Sequence, residues 1–530
     1  MTLVWSKKYL RFLILALLSC TLSACLRYEN IWDLINYHYY SGFAFLAGRA
    51  GYDLAPAVHH SYFNPLLDSL VYLAMRALND KPAVYYFFAG LPYACALFLV
   101  SLAADRVFDA SRSSGIWAAL ACLAISATGY GMFFQIGAST HEITVACFVF
   151  GALLLLLKTL FFKEKTDVRL IFAAGAVLGA AAGLKMSVNM YCLSTGVTLI
   201  LFYKRLDRPV VSIAAFIVAG VAGWLLTNGF WAWHLWDFYG NPFGVFFNKV
   251  FKSPYFGDFN YSTTEFMEKH RFYDVFLLPF YFIHYVPSMM KTEASFFTDF
   301  RWIVALLILS GMTVYGIQNK KNPLSPPVFF LSVWLAVSYF VWATTVSVVR
   351  YAVPMEMVVS ILFVVVFLKI PFKSISEKSV AAAIGMMLMM STVILSEPHW
   401  TVQHSSKIID AEDPVFPDDT LMILFGDPLS AYVARAAEKA KVRSVTVSAL
   451  FPVPFSFPET GRFAYQREAI FDDHKGPVVA LIRTDFFTKW IMSAFAYRLA
   501  SAMQCRPFRQ QISEIEVLIC VFAPPENESE

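Results

Sequence analysis

The sequence predicts a polytopic α-helical membrane protein with a small C-terminal α/β domain outside the membrane. Of its 530 residues, 58% are hydrophobic and only 15% charged, against about 25% charged in a soluble globular chain. Apolar runs close to the ~20 residues needed to cross a bilayer recur up to residue 398. Lys and Arg gather in alternate connecting loops, which the positive-inside bias assigns to the cytoplasm. Together these draw about eleven spans.

Span 1 covers 9–26, behind Lys7, Lys8 and Arg11, so the N-terminus stays in the cytoplasm. Leu22-Ser23-Ala24-Cys25 also matches a bacterial lipoprotein cleavage box. An uncleaved first helix explains the same residues, and either reading leaves the loop 27–82 outside. Spans 2 to 7 follow at 83–104, 115–133, 143–161, 169–187, 189–203 and 209–230, with Arg106, Arg112, Lys163, Lys165, Lys204 and Arg208 on the inner side.

The outer loop 231–301 contains an apolar run, 273–290, interrupted by Pro279 and Pro287. Counted as a crossing, this run would carry Lys320, Lys321, Lys369, Lys373 and Lys378 outside. An interfacial or re-entrant segment keeps them inside and is the preferred reading. Spans 8 to 11 are then 302–317, 326–345, 354–370 and 380–397, and the chain ends outside. The domain division is a membrane part, 1–397, and a soluble part, 398–530.

In the tail, 420–425, 442–450, 478–482 and 515–522 read as short buried strands, and 428–440 and 486–503 as helices between them. This alternation predicts an α/β domain. Gly426-Asp427-Pro428 reads as an ordinary strand-to-helix turn, and the tail has no glycine-rich phosphate loop. Cys505 and Cys520 allow a disulfide in an oxidising compartment. The net charge of +4 says little about partners, and the absence of a basic patch argues against nucleic acid.

The polar residues that stand out fall on the outer side. Glu29 and Asp33 are four apart and would share a face if the segment is helical. A carboxylate there can act as general base on a hydroxyl. Asn64-Pro65 marks a turn before an amphipathic stretch, 66–78. The paired His59-His60 suits hydrogen bonding better than metal ligation, for want of a third ligand at a sensible spacing. Ser139-Thr140-His141-Glu142 opens span 4 with capping residues.

Lys185 ends span 5 on the outer side, where a cation either snorkels or holds an anionic group. Arg350, followed by Tyr351 and Glu356, lies between spans 9 and 10. Its guanidinium either grips a phosphate through its planar fork or pairs with Glu356. His234 and Asn241 lie in an aromatic, turn-rich segment, 231–255, that suits carbohydrate recognition or a structured loop.

The order of these features resembles the GT-C superfamily of integral-membrane glycosyltransferases, particularly bacterial members related to the family 87 mannosyltransferases. The resemblance rests on Asp33 after span 1, the 62–66 run Tyr-Phe-Asn-Pro-Leu, and Gly137 to Glu142. It extends to Gly179 to Lys185, Gly240-Asn241-Pro242 with Ser253-Pro254-Tyr255, and Arg350-Tyr351 with Pro354 and Glu356.

The resemblance implies a bacterial inner-membrane enzyme that takes a sugar from a polyprenyl-phosphate donor. Transfer would be inverting, to a glycan, lipid or protein acceptor. The acid of the first outer loop, here Asp33 with Glu29 as rival, is then the base. Arg350, assisted by Lys185 or Arg301, holds the donor phosphate. His141, Glu142, Asn64, Tyr351, Glu356, His234 and Asn241 orient substrates. Trp32 stands where an acidic pair would be expected, which leaves no clear ligand set for a metal. The alternative function is a flippase for a lipid-linked saccharide.

Overall fold

A computed structural model describes residues 2–29, 31–108, 113–256, 273–282, 294–296, 298–319, 324–345, 347–398, 401–402, 405–448, 462–484, 503–512 and 515–522. The protein is mostly helical and divides into two compact units. One comprises Met1–Tyr28, Tyr86–Gly229 and Ser262–Thr401; the other comprises Glu29–Tyr85, Phe230–Tyr261 and Val402–Glu530.

A helix occupies each of the predicted apolar segments. Among the described residues, seven are long and apolar enough to cross a membrane: Lys7–Leu26, Pro82–Val107, Glu142–Phe161, Pro209–Tyr239, Pro326–Thr345, Val349–Lys369 and Ile375–Leu395. Further apolar helices are Ser113–Ala127, Val168–Leu184, Asn189–Leu201 and Arg301–Asn319. Large apolar side chains point outward from several of them; Val210 and Leu226 are each 81% exposed. That surface suits lipid and would be an aggregation liability in water.

The first unit packs around the helix Val353–Lys369, whose residues Val353 to Leu362 are all buried or nearly so. Helices Val168–Leu184 and Pro209–Tyr239 approach closely at Gly179, where any Cβ would overlap the Gly220 carbonyl. Small residues serve helix packing in lipid this way, because apolar burial alone gives little drive there. Trp334 stacks on Tyr191 at 5.6 Å and donates from Nε1 to Thr195.

Predicted span 3 differs from the structure. Its helix stops at Ala127, and a separate turn of helix, Tyr130–Phe133, follows Gly129. The break has a specific cause: Glu356 enters the gap and accepts hydrogen bonds from the Gly131 and Met132 amides, at 2.9 and 3.1 Å. A Cβ on Gly129 would overlap Glu356 Oε2. Gly129→Val is expected to destabilise the protein by about 1–3 kcal/mol; thermal unfolding in detergent checks this, and an unchanged midpoint would remove the packing argument.

The run at 273–290 contributes a helix of eight residues, Asp274–Tyr281, with Pro279 inside it. Positions 283–290 lie outside the described residues, as do Lys320 and Lys321.

In the second unit, the tail forms a five-stranded sheet from β1 (Thr420–Phe425), β2 (Val442–Ser448), β3 (Val478–Arg483), β4 (Met503–Pro507) and β5 (Val517–Phe522). The order is β2-β1-β3-β5-β4, with the first three strands parallel and the last two pairings antiparallel. Helix Ser430–Ala437 connects β1 to β2. The helix expected at 486–503 lies outside the described residues, except that Met503 opens β4.

The sheet shares its core with other segments of the same unit. Its Leu421, Ile423, Phe425, Val445, Ala480 and Ile482 share one core with Leu54, Ala55, Tyr62, Trp231, Leu235 and Phe256. Leu54 extends the sheet beyond β2, donating its amide to the Ser444 carbonyl at 2.9 Å. Beside it, buried Asp53 accepts from Tyr40, Arg49 and both the amide and hydroxyl of Ser444. The described parts of 29–85, 230–256 and the tail are therefore one compact unit.

Candidate functional site

The first unit gathers four of the predicted residues. Helix Glu142–Phe161 starts after His141, which takes a left-handed backbone, φ 64°, and makes no side-chain cap. The capping role expected of 139–142 is thus replaced by a turn that buries Glu142. Glu142 Oε1 lies 2.7 Å from Lys185 Nζ and 3.5 Å from Arg350 Nε. Lys185, just past the end of helix Val168–Leu184, also donates to the Thr140 carbonyl.

Both cations flank the Tyr351 ring, at 5.8 Å for Lys185 and 5.5 Å for Arg350. The backbone that carries Arg350 and Tyr351 is pinned from two sides. Tyr191 donates to the Tyr351 carbonyl at 2.7 Å, and Gln135 donates to the Arg350 carbonyl at 3.3 Å. Thr140 in turn donates to Gln135 Oε1 at 2.9 Å. Two cations thus meet at one buried carboxylate with their backbone held in place, and donors fixed in place before a charge arrives are what an anion site needs.

Two expected members stand elsewhere in the structure. Glu356 grips the Gly131 and Met132 amides as described, and Arg350 pairs with Glu142 rather than with Glu356. Arg301, fully buried, is tied to Asp299 at 3.0 Å, Thr392 at 2.9 Å, Thr128 at 2.8 Å and the Ile125 carbonyl at 2.9 Å. Four acceptors around one guanidinium make it a knot between chain segments. Its role in assisting Arg350 has no support in these contacts.

In the second unit, Asp33 ends the short helix Ile31–Asp33 and is 3% exposed. Glu29 is in extended backbone, not helix. The two acids therefore do not share a helical face, because the i, i+4 relation requires continuous helix. After Asp33 comes a π-helical turn, Leu34–His38, then helix Tyr39–Leu46. His38 Nδ1 lies 2.6 Å from Asp68 Oδ1, both buried. Tyr37 stacks on His60 at 4.5 Å, and Asn36 Nδ2 lies 3.2 Å from His60 Nδ1.

Burial, then the neighbouring His60, hold His59 well below the ordinary histidine value of 6.5, against the opposing pull of Asp33. His59 is thus neutral in the fold and takes up a proton only on unfolding. Its stabilising share is complete above about pH 6.5 and is lost progressively as pH falls below that value. Thermal unfolding of His59→Gln is expected to depend less steeply on pH between about 7 and 5 than wild type; an equal slope would contradict this.

Asn64 accepts from the Leu66 amide at 2.9 Å and starts the amphipathic helix Leu66–Ala77. Asn241 spends its side chain on its own loop, accepting from the Phe243 amide and donating to the Phe246 carbonyl. His234 stacks on Trp231 at 5.0 Å and lines a cavity with Tyr40, Arg49, Tyr62 and Tyr239.

Sequence reasoning missed His38, Asp68, Gln135, Tyr191 and Ser430. The His38–Asp68 pair spans 30 positions and the Tyr191–Tyr351 bond 160, so no local spacing marks either one.

No family model matches the chain, and a search of curated proteins finds no match. Solved structures do. ArnT from Cupriavidus metallidurans bound to undecaprenyl phosphate aligns over 98% of each chain with a TM-score of 0.52 at 12% identity. The same protein in its apo state aligns over 98% of each chain with a TM-score of 0.55, again at 12% identity. The chain therefore has the fold of these two structures, and at this identity the likeness extends to the fold alone.

Proposed function

We propose that this protein is a membrane glycosyltransferase that moves a sugar from a polyprenyl-phosphate donor to an acceptor hydroxyl. The observation that carries the reading is the Arg350–Glu142–Lys185 group, in a chain with the fold of an ArnT that holds undecaprenyl phosphate. Asp33 takes the proton from the acceptor hydroxyl, and the oxygen attacks the anomeric carbon from the face opposite the leaving group. The bond between that carbon and the phosphate oxygen breaks, and its electron pair stays on the phosphate. The configuration inverts. The phosphate gains one negative charge, which Arg350 and Lys185 stabilise.

Glu142 keeps both cations aimed while the donor is absent. His141 and Tyr351 border the same group and orient the donor. The acceptor is a glycan, a lipid or a protein. The reaction takes place outside the cytoplasm, with the N-terminus inside. The Cys505–Cys520 disulfide between β4 and β5 supports this side for the tail, since disulfides persist in oxidising compartments.

The testing experiment is product formation in detergent, with a panel of polyprenyl-phosphate sugars and an envelope extract as acceptor. A new glycosidic bond that depends on the protein supports the reading. No transfer from any donor, with lipid-linked saccharide translocated once the protein is in vesicles, would replace it with the flippase.

A further inference from the structure

The turn Gly426-Asp427-Pro428, unremarkable as sequence, lies beside the segment that carries Asp33. It leads from β1 into helix Ser430–Ala437. Arg483, at the end of β3, donates to the Asp427 carbonyl at 2.7 Å and holds the turn. Ser430, the first residue of the helix, is fully buried. Its hydroxyl reaches 394 positions back along the chain to the Asn36 carbonyl, with the Ile35 carbonyl at 3.3 Å.

Those two carbonyls belong to the π-helical turn Leu34–His38. A π turn is wider than an α turn and bonds residue i to i+5, as the Tyr39 amide does to the Leu34 carbonyl. Where the ladder returns to i+4 spacing, a carbonyl is left without its helical donor. A buried carbonyl in that position needs a partner from elsewhere. Ser430 supplies the hydroxyl. At about 4.4 residues per turn, the wider winding brings His38 towards the face that Asp33 and Tyr37 share. An α-helical winding would keep Asp33 and Tyr37 together and turn His38 away.

We propose that Ser430 is a positioning residue: its hydroxyl fixes the π turn and so the aim of Asp33. The C-terminal segment then contributes directly to turnover through this contact. The proposal rests on the reading of Asp33 as base, and its test separates the two.

Hydrogen exchange and steady-state kinetics are measured on full-length wild type, Ser430→Ala and Asp33→Asn, with the polyprenyl-phosphate sugar that the panel selects. In Ser430→Ala, amides of 34–40 are expected to exchange faster while β1 and β3 keep their protection. Its kcat is expected to fall about tenfold or more, with KM for the lipid donor within about twofold. Unchanged exchange at 34–40 overturns the clamp. Faster exchange with unchanged kcat overturns its positioning role, and so does a loss confined to KM. A fully active Asp33→Asn overturns the base instead, and the exchange result still decides the clamp. Loss of protection across the whole sheet would show a folding role only, and overturn the proposal.

Discussion

Asp33→Asn is expected to lower turnover by about a hundredfold to ten-thousandfold, the range over which a positioned general base contributes. The amide is nearly isosteric and keeps a hydrogen-bond acceptor, so the fold should survive. It cannot accept the acceptor's proton at neutral pH. Binding of the lipid donor should change little, because the donor phosphate is assigned to Arg350 and Lys185. The measurement is initial rate against donor concentration in a transfer assay, beside thermal unfolding of the same preparation. Glu29→Gln, at an extended and fully buried position, is the control that decides between the rival acids. Full activity in Asp33→Asn with loss in Glu29→Gln would transfer the role to Glu29.

Arg350→Ala is expected to lower kcat by about a hundredfold to a thousandfold, as loss of a preorganised donor does when charge builds on a leaving group. It also removes one of the two cations beside Glu142. Lys185 remains at 2.7 Å, so the buried carboxylate keeps a partner and the fold should persist. Removing both cations breaks both ion pairs of that buried carboxylate, and breaking a buried pair typically costs about 3–5 kcal/mol. The double variant should therefore lose stability out of proportion to the singles. Arg350→Lys tests the geometry: it preserves charge but not the planar fork. Wild-type kcat in Arg350→Ala, at saturating donor, would remove the guanidinium from the chemistry.

Much of this architecture was legible in the sequence, and the reason is local periodicity. Apolar runs of bilayer length do not depend on distant partners, so the helices fall where the runs are. Strands 420–425 and 478–482 were readable for the same reason, as short β-branched and apolar runs. What could not be read is what depends on distant partners. Glu356 breaks helix 113–127 from a position 227 residues after Gly129, and no spacing announces that. Asp53 is tied to Ser444 across 391 positions, so the loop after the first helix and the tail look separate in sequence yet share a core.

The site divides the same way. Lys185 stands out because a cation at that predicted outer span end runs against the positive-inside bias, and Arg350 because a guanidinium can grip phosphate through its planar fork. Their common partner Glu142 reads in sequence as a helix-start acid and, through the resemblance, as a substrate-orienting group, and no spacing ties it to the two cations. Arg301 reads, through the resemblance, as assisting Arg350, yet the structure uses it as a knot. Charge placement identifies unusual residues, and only packing tells a ligand group from a structural one.

The most direct test of the account is native mass spectrometry of the purified protein with undecaprenyl phosphate and with undecaprenol, its phosphate-free counterpart. Wild type is predicted to retain the phosphate lipid at least tenfold better than the alcohol, and the Arg350→Ala/Lys185→Ala double variant to lose that preference. Equal retention of the two lipids by wild type would contradict it.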